Sequence, residues 1–225
     1  MKAIFFSLNK LKPNFNSNYR HYNNFSLKVF LKKYGTVAFF AVSFLIGMLL
    51  GAIYAKGASE SLYKGLDFLF TTNLNARLTQ DFFETFSACF ASDFVFMATV
   101  FLLGVTPWGI PFIPLVCAFK GFGTGLSGGF LVESHSLWGF FFYLVVLLPG
   151  VFVFCLVLLT QSNLAFYNSK KIFITLFTDN QNQIIPRATM LHYLQRSLTL
   201  LIISFGSAIL DTLLWCLLSP LFGFV

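Results

Sequence analysis

The chain has 225 residues, of which 57% are apolar and only 10% charged, against roughly 45–50% and about 25% in ordinary globular proteins. Phenylalanine alone occurs 32 times, and basic residues outnumber acidic ones 15 to 8, a formal charge of +7. These figures exclude a typical soluble enzyme, a disordered chain and a disulfide-stapled secreted domain. The placement of the basic residues then decides between nucleic acid and membrane as the source of that charge.

Residues 1–35 carry seven basic residues (Lys2, Lys10, Lys12, Arg20, Lys28, Lys32, Lys33) and no acid. They precede a 20-residue run without a charge, 36–55, long enough to cross a hydrocarbon core of ~30 Å as a helix. The long basic lead is unlike the short n-region of a signal peptide, so cleavage after residue 55 is not expected. Further apolar runs predict spans over about 91–106, 109–131, 136–160 and 197–218. Lipid offers the backbone no partner, so these runs should be helices. An apolar barrel would instead show alternating strands. The break between the second and third spans rests on Pro107 and Pro111, and Pro149 with Gly150 predicts a kink in the fourth. The fold class expected is therefore all-α, a polytopic membrane protein of about five transmembrane helices. A sixth would follow only if 163–178 also entered the membrane.

The basic residues orient the bundle. A basic segment 1–35 inside, an acid-richer segment 56–90 outside and a basic segment 161–196 inside are consistent with one helical membrane domain over 36–225. The N-terminus is then cytoplasmic and the C-terminus extracytoplasmic. The positive charge reports topology and anionic lipid, not nucleic acid. None of the three polar segments is long enough to fold a core of its own. In the external segment Leu62, Leu66, Phe70, Leu74, Leu78, Phe82, Phe86 and Phe90 recur every fourth residue. This predicts two amphipathic helices broken near Thr71-Thr72-Asn73, either packed on the bundle or offered to a partner.

Cys89, Cys117, Cys155 and Cys216 lie in or beside apolar runs without CxxC spacing. They read as small buried apolar residues, with neither disulfides nor metal expected. His21, His135 and His192 form no ligand cluster, and no cofactor is expected. The segment 121–130, GFGTGLSGGF, spells both GxGxxG and GxSxG. Both motifs need a strand before them, and a membrane span stands there instead. The same residues suit close helix packing: Gly121, Gly125 and Gly129 on the third helix, and Ser43, Gly47 and Gly51 on the first, recur at i+4. Such faces serve the bundle itself, a partner membrane protein or a second copy. Lys120 and Asp211 are charges within spans, and their similar depths predict an ion pair.

The central third then resembles the stage II sporulation protein M family. The resemblance rests on Leu103-Gly104, Gly109-Ile110-Pro111-Phe112-Ile113, Lys120-Gly121-Phe122, Gly125, Gly129-Phe130-Leu131-Val132, Trp138-Gly139 and Pro149. Gly150-Val151 departs from the more polar residues that follow this proline in the family. The resemblance implies a non-enzymatic membrane scaffold of endospore formation. It would hold two peptidoglycan-degrading partners, stage II sporulation proteins P and D, at the septal and engulfing membrane of the mother cell. The reading from residues alone leaves a transporter or permease subunit open, with a midplane polar site around Lys120 and Asp211.

Overall fold

A computed structural model describes residues 27–57, 65–66, 69–70, 77, 80–177 and 187–222. The chain divides into a short unit, Met1–Lys33, and a helical unit, Tyr34–Val225. Every contact below lies within the second. Of the eight regularly spaced apolar residues at 62–90, Leu62, Leu74 and Leu78 lie outside the described residues, as does the expected break at 71–73.

Among the described residues five long helices build the bundle: α1 Leu27–Ala55, α2 Phe82–Val105, α3 Gly109–Phe142, α4 Leu148–Phe177 and α5 Arg187–Leu218. No strand occurs among the described residues. Four continuous runs are long and apolar enough to cross a membrane. The longest, Gly109–Leu176, has 68 residues, or about 100 Å at ~1.5 Å per residue, far more than one crossing of ~30 Å requires. Ser136 divides it. Its φ of 52° and ψ of −129° are non-helical and left-handed, the conformation of the first central residue of a type II′ turn, where glycine is usual. The chain reverses there. Gly139 comes so close to the Leu131 carbonyl that a methyl group on it would overlap. The Tyr143 hydroxyl donates to the Thr124 carbonyl at 3.3 Å. The run is thus a helical hairpin of two arms, each longer than one crossing requires.

The prolines act in three ways. Pro107 lies in the turn between α2 and α3. Pro111 falls in the first turn of α3, where a missing N–H leaves no bond unmade. Pro149 would collide with the carbonyl four residues earlier in a regular α-helix. A single π turn, Tyr143–Leu147, precedes it and widens the ladder at that point.

The small-residue faces of α1 and α3 meet each other. Side chains at Gly47 and Gly51 would run into the Ala118 and Phe122 carbonyls, and at Gly121 and Gly125 into those of Phe44 and Met48. Gly129 lies against Ala52 and Ala55. The contacts advance in the same sense along both helices, so α1 and α3 run parallel, as two passes separated by a third must. Ser43 turns its hydroxyl back to the Phe39 carbonyl at 3.0 Å, which removes a polar group from this surface.

Two boundaries differ from the sequence reading. Helix α2 starts at Phe82, well before 91, so its first turns come from the segment read as external. Phe86 and Phe90 pack edge-on against Phe205 of α5. The segment 161–196, read as a polar cytoplasmic connection, is largely helix: α4 continues to Phe177 and α5 begins at Arg187. Its polar residues turn inward to the α2–α3 turn. Asn168 donates to the Gly104 carbonyl at 2.9 Å, Ser169 to Thr106 at 2.7 Å and Tyr193 to Phe101 at 3.0 Å. A helix end leaves several carbonyls without an intrahelical partner, and buried polar groups need one. Polarity here serves the interior, and composition alone reads it as exposure.

Candidate functional site

The interior of the bundle holds four charges. Lys120 of α3 directs Nζ to Asp93 Oδ1 of α2 at 3.0 Å and to Ser92 Oγ at 3.0 Å. Ser92 in turn donates to the Leu69 carbonyl. The Lys120 ammonium also lies 4.8 Å from the ring centres of both Phe96 and Phe154, within range for cation–π attraction. Arg77, from the connection between α1 and α2, places Nη2 3.1 Å from Asp211 Oδ2 of α5. It also donates to Cys89 Sγ, and its guanidinium stands 5.3 Å over Trp215. Cys89 donates to Asp211 Oδ2 at 3.3 Å.

Helix register explains the first pair. Asp93 is twelve residues before the end of α2 and Lys120 eleven after the start of α3, about 18 and 16.5 Å from the shared turn at ~1.5 Å per residue. Both reach the same depth near the middle of a ~30 Å core. A lysine there without a partner is costly, and Asp93 supplies the opposite charge. The connecting segment closes the second pair. Phe70 is buried against Gly123 and the ring of Phe119, and Arg77 is 5% exposed.

The four residues line one cavity of about 60 Å³ with Ser127, Tyr143, Gly150 and Ser207 among its walls, large enough for a few water molecules. Gly150 lets α4 approach Asp211, since a methyl group there would press on its Cβ.

The expected Lys120–Asp211 pair is corrected. Both residues line the cavity, but each has a different partner, Asp93 and Arg77 respectively. Similar depth brought both to the wall of one cavity, where each is paired with another residue. Asp93 falls two residues from the start of the expected span of 91–106, where it reads as a residue at the membrane edge and not as a partner at mid-depth. Asp93 lies mid-way along the apolar stretch 82–105, and that position was the available signal. Arg77 had none, because nothing in its local sequence marks it as entering the bundle.

The arrangement holds its charges in place. Each cation has a carboxylate and at least one further contact, and the cluster as a whole is neutral. Among the described residues no group of three or more His, Cys, Asp or Glu could hold a metal. The decoy serines and glycines of 121–130 are engaged in packing, with the Ser127 hydroxyl bonded to the Gly123 carbonyl at 3.1 Å.

The family model for stage II sporulation protein M matches residues 36–214, a range that contains α2 to α4, most of α1 and α5, and Arg77, Asp93, Lys120 and Asp211. The chain belongs to the stage II sporulation protein M family. Membership carries a role in sporulation for a multi-pass membrane protein, and the family is not known as a catalytic one. Neither a curated protein nor a solved structure matches the chain.

Proposed function

We propose that this stage II sporulation protein M family member is a non-catalytic membrane scaffold. It would recruit peptidoglycan-degrading partners, stage II sporulation proteins P and D, to the septal membrane during engulfment. The observation that carries the reading is the family match over 36–214. The interior supports it, because the buried charges neutralise one another. On this reading the chemistry belongs to the partners, and the bundle raises their concentration at the wall by tethering them. The glycine faces of α1 and α3 are engaged with each other, which speaks against them as the partner surface.

The test is deletion of the gene in its host with complementation in trans. The expected result is arrest at engulfment with wall hydrolases no longer concentrated at the septum, restored by the intact gene. Normal engulfment with correctly placed hydrolases refutes the scaffold. Normal engulfment with altered solute uptake would move the reading to transport.

A further inference from the structure

A second concave site lies beside α1 and α3, and shares Tyr143 with the wall of the charged interior cavity. Met48, Leu49, Ala52 and Ile53 form one wall, Gly125, Gly128 and Gly129 the floor, and Phe140 and Tyr143 the opposite wall. The groove measures about 650 Å³, within the roughly 300–1,000 Å³ of pockets that take small ligands.

Its two ends differ. Lys56 and Glu133 stand at one end. Lys56 follows the last residue of α1, and Glu133 lies just before the hairpin turn at Ser136. Since α1 and α3 run parallel, both charges are at the same end of the bundle, where the apolar spans stop and headgroups begin. Both are exposed, and they make no ion pair with each other. From them the groove descends to Met48 and Gly125, eight residues along either helix, about 12 Å at ~1.5 Å per residue. It ends where Gly125 meets the Met48 carbonyl.

A groove of this length matches one leaflet, about half of a ~30 Å core. A partner's transmembrane helix would need a face running through both leaflets. The chemistry is also specific. The body is apolar, and the mouth offers one cation and one anion that leave each other free. That pattern complements a lipid headgroup carrying both a phosphate and a primary ammonium.

We propose that this groove seats one acyl chain of a zwitterionic glycerophospholipid, with Lys56 receiving its phosphate and Glu133 its ammonium. The site is independent of the scaffold reading and stands or falls without it.

The test uses the full chain in nanodiscs of equal phosphatidylethanolamine and phosphatidylglycerol, with retained lipid read by native mass spectrometry. The expected result is one tightly retained phosphatidylethanolamine, favoured over phosphatidylglycerol by about fivefold, the scale of one exposed charge contact. Glu133→Gln should abolish the preference while keeping a bound lipid. Lys56→Gln should lower retention of both lipids, and Val132→Trp, which fills the groove beside its mouth, should remove the bound lipid. Helical circular dichroism must be unchanged in all three, and a chemically silent Gly206→Ala variant controls for handling. Equal retention of the two lipids by the wild type, or a preference that survives Glu133→Gln, overturns the proposal. So does a bound lipid that survives Val132→Trp, or a second copy crosslinked through a cysteine at position 132.

Discussion

Replacing Lys120 by methionine removes a charge and nearly preserves the side chain's volume, so the packing against Phe96 and Phe154 stays filled. What changes is Asp93. Its carboxylate keeps its burial and loses a partner 3.0 Å away. At an effective dielectric constant of ~20, two unit charges at that separation attract by about 5 kcal/mol. Breaking a buried pair from one side typically costs ~3–5 kcal/mol, because the remaining ion is left uncompensated. Lys120→Met should therefore lower the apparent melting temperature in detergent by on the order of 10 °C and deplete the protein from membranes. Asp93→Leu should do the same. The double variant should recover most of the loss, since replacing both ions with apolar groups is often neutral or stabilising. The assay is thermal melting monitored by size-exclusion fluorescence, arranged as a double-mutant cycle. A coupling of at least ~2 kcal/mol between positions 120 and 93, and a smaller one between 120 and 211, is expected on the same principle. Additive effects at 120 and 93, or stronger coupling of 120 to 211, would refute the reasoning.

Three further outcomes follow from the packing. Gly125→Leu should abolish the α1–α3 contact and reduce membrane abundance severely, whereas Gly206→Ala, with open space around it, should be neutral or stabilise by ~0.5–1 kcal/mol; quantitative immunoblotting of membrane fractions distinguishes them. Ser136→Gly should stabilise the hairpin by roughly 0.5–1 kcal/mol, the relief of a left-handed residue less the added chain entropy. Ser136→Val should destabilise it, and thermal melts in detergent report both. Asn168→Ala leaves the buried Gly104 carbonyl without its 2.9 Å donor and should cost ~1–3 kcal/mol, read in the same melts.

Gaps in the charge pattern located the spans because a membrane forbids unpaired charge over a length set by its thickness. The rule works in one direction only. Asp93 is a charge inside a span, and an expected start near 91 both shortened α2 and put Asp93 at its edge, which hid the partner of Lys120. Asn168, Ser169 and Tyr193 misled for a related reason. They look like a solvated connection and act as caps on the end of α2. Gly121, Gly125 and Gly129 were legible because helical spacing alone puts them on one face. The face they meet is a tertiary fact, as is the route that carries Arg77 to Asp211. Local sequence contains no term for either.

The neutrality of the interior has an electrical consequence. Moving one elementary charge across a membrane at ~100 mV involves about 2.3 kcal/mol of work. Arg77 and Lys120 balance Asp93 and Asp211, and each cation is held within 3.1 Å of its carboxylate. A displacement of these four residues together along the membrane normal therefore carries no net formal charge through the field. The cluster is invisible to the potential as long as its members move together.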